Sequence, residues 1–178
     1  MNDIPAKSPA NHFRFFQDAA PAFQRYWWST IHRIPEVEMS ESKSTIMPTL
    51  RYRNAPAAID WLCQVFGFEK KAVYPGPNDT IGHAELTLGG GMIMLGSTKD
   101  DEHGKNFTSP EECGGKETRS AYIVVANADE VFARAQTAGA VVMRSIQDTP
   151  YGSREFSVKD PEGHSWSVGT YDPWAAHE

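Results

Sequence analysis

At 178 residues and a formal charge of −6, the chain has room for one domain of ordinary size and no excess of basic side chains. Nucleic acid is therefore excluded as the expected partner, because phosphate binding calls for a basic patch and no cluster of Lys or Arg stands out in the sequence. No apolar stretch approaches the roughly 18 residues of a bilayer span, and residues 1–10 are polar and Pro-interrupted rather than ordered as a secretory leader. A cytoplasmic protein without membrane contact is expected.

Residues 1–45 read as an N-terminal extension. Its aromatic run (Phe13, Phe15, Phe16, Phe23, Tyr26, Trp27, Trp28) continues at helical spacing after Pro21 through Ile31 and Ile34, which fits an added helix docked on the domain. The competing reading starts translation at Met39, directly before the polar leader Ser40 to Ser44. The domain proper spans 46–173, as module one (46–97), a linker (98–118) and module two (119–173), and 174–178 form a tail. Module one begins with a strand carrying Leu50 and Tyr52. Asn54-Ala55 then opens a helix whose face is Ile59, Leu62 and Phe66, and Gly67 stops it. Gly89-Gly90-Gly91 joins two strands as a tight turn, not as a phosphate cradle. The linker is rich in Gly, Ser/Thr and charge, has no apolar period and reads as mobile.

Module two repeats module one. Ile123 and Val125 lead into Asn127-Ala128, a helix face of Val131, Phe132 and Ala135 follows, and Gly139 ends it. A hairpin, Asp160-Pro161-Glu162-Gly163-His164-Ser165-Trp166, closes the unit. Repeats of this kind bury their apolar faces against each other, so the expected fold is α+β, two paired βαβββ modules. The repeat and its closing hairpin resemble the vicinal oxygen chelate superfamily of glyoxalases, bleomycin-resistance proteins and extradiol dioxygenases, over Ile46 to Pro173. The resemblance implies curved sheets enclosing a concave cavity, and a homodimer that covers the sheet edges. It also implies metal ligands, usually His, Gln or Glu, on the first and last strand of each module. In this sequence those places hold Met47, Met94, Ser120 and Ser167. A thioether is soft and a serine hydroxyl is not deprotonated at neutral pH, so neither a metal nor another cofactor is expected.

Strand parity selects the ligand-facing side chains. Alternate residues point to opposite faces, so the apolar set of Leu50, Tyr52, Ala84, Leu86, Leu88, Ile93, Leu95, Ile123, Val125, Trp166 and Val168 should pack on the helices. The opposite face then carries the ligand-binding candidates Met47, Thr49, Arg51, His83, Glu85, Met92, Met94, Ser120, Tyr122, Glu155 and Ser167. Among them His83, Glu85 and Glu155 are the catalytic candidates, as a rebuilt metal site or as a metal-free acid/base group. The plainer reading makes them polar residues on a solvated face, with Glu85 or Glu155 paired to Arg51 or Arg154. His164 is expected to order its hairpin or face solvent, and Trp61 to be core. Cys63 reads as a small buried hydrophobe and Cys113 as exposed. The function that fits is a metal-free protein that binds or sequesters a small cationic or aromatic compound. The alternative is a glyoxalase-like lyase or dioxygenase using a divalent metal.

Overall fold

The computed structural model describes residues 44–175; the N-terminal aromatic run and Met39 lie outside them. Module one contributes β1 (Thr49–Tyr52), α1 (Ala55–Phe66), β2 (Glu69–Pro75), β3 (Ile81–Leu88) and β4 (Gly91–Ser97). Module two contributes β5 (Ala121–Val124), α2 (Ala128–Thr137), β6 (Val141–Asp148), β7 (Arg154–Lys159) and β8 (Ser165–Gly169). Each module forms its own four-stranded sheet, in the orders β1-β4-β3-β2 and β5-β8-β7-β6. In both, the first strand runs parallel to the last, with Leu50 beside Leu95 in one sheet and Ile123 beside Val168 in the other. The fold is the expected α+β pair of βαβββ modules. No described helix is long and apolar enough to cross a membrane.

Both helices begin as their sequences dictate. The Asn54 side chain accepts from the Ala57 N–H, and the Asn127 side chain from that of Glu130, each satisfying an orphan donor of the first turn. Gly67 ends α1 with φ at +84°, a left-handed conformation that costs other residues far more than glycine. The helix-facing set expected from parity is buried: Tyr52, Ala84, Leu86, Ile93, Leu95, Ile123, Trp166 and Val168 lie in one core with Ile59, Leu62, Val65 and Phe66 of α1. Leu50, Leu88 and Val125 pack at its margin. Burying a Leu- or Phe-sized side chain stabilises by about 1.5–3 kcal/mol, so this shared core is the main cohesive term. Trp61 is core as well, and its indole N–H donates to the Ala138 carbonyl at 2.9 Å, while Arg134 Nε donates to the Val65 carbonyl at 2.9 Å. Those two bonds tie α1 to the α2 region. Cys63 is only partly buried but touches the core, and Cys113 is exposed.

The closing hairpin of module two is a joint between modules. Asp160, 3% exposed, accepts from the Tyr52 hydroxyl at 2.7 Å and from the Trp166 indole at 3.1 Å. It also accepts the backbone N–H groups of Glu162 and His164. Glu162 in turn accepts the N–H groups of Arg53 and Asn54, both at 2.7 Å. His164 does not face solvent: it is 6% exposed, with Nδ1 2.8 Å from Glu117 and Nε2 3.0 Å from the Arg51 carbonyl. Burial, followed by the neighbouring Asp160 charge, raises the Tyr52 hydroxyl well above the ordinary tyrosine range, so it stays a donor.

Candidate functional site

The face opposite the helices is mixed in character and partly open to solvent. Arg51, His83, Glu85, Met92, Met94 and Ser167 are half-buried, and Met47, Thr49, Ser120 and Tyr122 are exposed. Met47 and Ser120 sit just before β1 and β5 rather than within them. Register fixes the correspondence between sheets. Met94 pairs with Thr49 in one, and Ser167 with Tyr122 in the other, so Met94 and Ser167 occupy matching places. One step along, Glu155 pairs with Gly169, and the same step beyond the Ala84–Leu95 pair puts His83 at the matching place in module one. Glu85, opposite Met94, therefore matches Ser157, opposite Ser167.

The structure brings His83 and Glu85 together and leaves Glu155 in a separate cluster. His83 Nε2 lies 3.5 Å from Glu85, whose other oxygen pairs with Lys71 at 2.9 Å, and Tyr74 stacks on the His83 ring. The hydrogen bond from Lys71, then that from His83, holds the Glu85 carboxyl below the usual range. Glu155 is 4% exposed and bonded by Arg144 Nη2 at 2.9 Å, the Tyr151 hydroxyl at 3.0 Å and the Tyr122 hydroxyl at 3.1 Å. Burial alone would push its carboxyl up; bonds from Tyr151, Ser153, Arg144 and Tyr122 outweigh this and hold it below the usual range. Gly169 makes that cluster possible, because a Cβ there would collide with the Tyr122 hydroxyl and stand 2.6 Å from Glu155 Cγ.

The cationic partners differ from those expected. Glu85 and Glu155 pair with Lys71 and Arg144; Arg154 is taken by Asp129 and Asp148, and Arg51 has no ion-pair partner among the described residues. Both true partners stand at irregularities in their ladders: the β2–β3 register shifts between Lys70 and Ala72, and the β6–β7 register shifts on either side of Arg144. A bulge re-aims the residue it carries, so simple alternation does not place these side chains. Tyr151 and Ser153, four and two residues before Glu155, escape strand parity because they lie in the turn before β7, where no alternation applies.

A divalent metal does not fit the family's ligand places. Met47, Met94, Ser120 and Ser167 supply thioethers and hydroxyls, and Ser167 Oγ is engaged with Ser157 Oγ at 3.1 Å. Among the described residues no group of three or more His, Cys, Asp or Glu side chains converges as metal ligands.

The model of the glyoxalase/bleomycin resistance protein/dioxygenase superfamily matches residues 45–168. The chain belongs to that superfamily. An uncharacterized protein of Mycobacterium bovis is 32% identical over 124 residues, covering 70% of this chain and 81% of that protein. The structure of TioX from Micromonospora sp. ML1 is 35% identical, with a TM-score of 0.55 over 71% of this chain and 97% of that one. A glyoxalase/bleomycin resistance protein/dioxygenase family enzyme from Burkholderia phytofirmans, 18% identical with a TM-score of 0.50, covers 68% of this chain and 93% of its own. At that identity the likeness concerns the fold of this superfamily member, which hosts many chemistries.

Proposed function

We propose that this superfamily member binds or sequesters a small molecule without a metal, on the face opposite its helices. The observation that carries the reading is the donor set at the family's ligand places, where Met47, Met94, Ser120 and Ser167 stand instead of imidazole and carboxylate. Tyr122, Met92 and Met94 suit an apolar or aromatic body, because aromatic and thioether groups adapt to such surfaces. The two carboxylates of the same face are already neutralised by Lys71 and Arg144, which favours the aromatic body over a cationic group. A metal-dependent lyase or dioxygenase would draw on His83 and Glu85, but Glu85 is already engaged by Lys71. The protein acts as a homodimer: β6 is an edge strand with Val141, Val142 and Met143 exposed in succession, an apolar edge that a second copy can cover.

A thermal-shift screen of aromatic and cationic compounds, run with and without EDTA, tests the reading. A ligand at about 100 times its Kd adds about 2.7 kcal/mol. The expected hits stabilise equally in EDTA and weaken in Met94→Ala. Stabilisation that appears only with an added divalent metal would overturn it.

A further inference from the structure

Beside β1 the linker folds over the sheet end and walls a cavity of about 230 Å³, lined on one side by Arg51 and Arg53 and on the other by Lys99, His103, Thr108 and Glu112. We propose that this cavity is an oxyanion subsite, which takes the carboxylate or phosphate group of a small organic ligand. It deepens the binding reading above and rests on it, since Arg51 also belongs to the ligand-facing set.

Three observations carry the inference. First, two cations in the lining are uncommitted: neither the Arg51 guanidinium nor the Lys99 ammonium has a hydrogen-bond or salt-bridge partner among the described residues. In a chain of net charge −6, two such residues lining one cavity stand out. Second, the acidic groups nearby stay ionised but are turned to other donors and leave the Arg51 and Lys99 cations unpaired. Glu112 accepts from the Thr108 hydroxyl at 2.9 Å and from the Ser109 N–H and hydroxyl at 2.9 and 3.1 Å. Those bonds hold its carboxyl below the usual range. Asp101, which senses Lys99, is capped by the Gly104 N–H at 2.7 Å, and Glu111 pairs with Arg53 at the rim. Third, the backbone is shaped around the cations. The Arg51 carbonyl is held by His164, and Gly96 leaves room for the guanidinium, since a Cβ there would lie 2.7 Å from Arg51 Nη1. Gly104 lets the short 3-10 turn Gly104–Asn106 press on the Lys99 carbonyl, where any side chain would collide. A guanidinium fork plus an ammonium is the donor set that carboxylates and phosphates take. The volume is below that of a whole drug-sized pocket, which fits one anionic group of a larger ligand.

Titration calorimetry on the full chain tests this, with inorganic phosphate and benzoate as separate probes. Saturable millimolar binding is expected for at least one probe, weakened about tenfold by Arg51→Gln and by Lys99→Gln, as befits loss of a charge-assisted bond. Lys70→Gln, which removes a cation paired with Asp60 outside the cavity and the ligand-facing set, should leave it unchanged. The tighter probe identifies the group recognised. No saturable binding of either probe, or equal weakening in Lys70→Gln, overturns the subsite. Screen hits that bind while neither anion competes would remove the subsite and leave the small-molecule reading standing.

Discussion

The two modules close their last hairpins in opposite ways. Module one turns from β3 to β4 through Gly89 and Gly90, with φ of Gly89 at +54° and nothing within 4 Å of a Cβ built there. Module two turns from β7 to β8 through Asp160 to His164, a segment whose side chains bond Tyr52, Trp166, Glu117 and the backbone of Arg51, Arg53 and Asn54. The hairpin needs only a flexible turn, as module one demonstrates. The polar chemistry of the second turn therefore serves the joint between modules. A similar contrast separates the matching positions His83 and Glu155: the first is solvent-accessible and loosely paired, the second buried and held by donors from Tyr122, Arg144 and Tyr151.

Substitutions at matched places should widen or collapse that contrast. Asp160→Ala orphans four donors, three of them buried, and is expected to cost about 3–5 kcal/mol in urea denaturation, whereas Gly89→Ala should cost only about 1 kcal/mol for its left-handed backbone. Equal costs would mean that the second turn is no joint. His164→Ala removes the partner of the Arg51 carbonyl and leaves Glu117 with the Ser165 N–H alone, with an expected loss of about 2–3 kcal/mol. His83→Ala, on the open face, should fall within about 0.5 kcal/mol of the parent. Glu155→Gln should lose about 1–2 kcal/mol, more than Glu85→Gln, whose ion pair with Lys71 is solvent-screened.

The acid limb of stability gives the same comparison a pH axis. The folded-state pKa of Glu155 is lowered, so its stabilising share is complete above the unfolded carboxylate value of about 4.3 and is lost as pH falls through the lowered folded value. Stability of Glu155→Gln measured from neutral pH down through that window should fall less steeply than that of the parent. Parallel curves would show that the Tyr151, Ser153, Arg144 and Tyr122 bonds add nothing in solution.

Much of the fold was legible because it rests on local rules. The Asn54 and Asn127 caps, the Gly67 stop and the alternation that buries Tyr52, Leu86, Trp166 and Val168 all act within a few residues. The site was less legible because it depends on departures from those rules. Lys71 and Arg144 reach their carboxylates from ladder irregularities, which no period-two pattern shows. Arg51, Arg53 and Lys99 form no run along the chain, and meet only when the linker, which lacks any apolar period, folds across β1. His164 reads as a turn residue from its own hairpin; its burial comes from β1 and Glu117, both remote in sequence.

Metal content tests the metal-free reading most directly. Elemental analysis of the purified chain, followed by calorimetric titration with zinc, nickel, iron(II) and manganese, should find metal far below one equivalent and no saturable heat, because Met47, Met94, Ser120 and Ser167 offer no competent donor set. Near one equivalent of a single divalent metal per chain, lost on His83→Ala or Glu85→Gln, would contradict it.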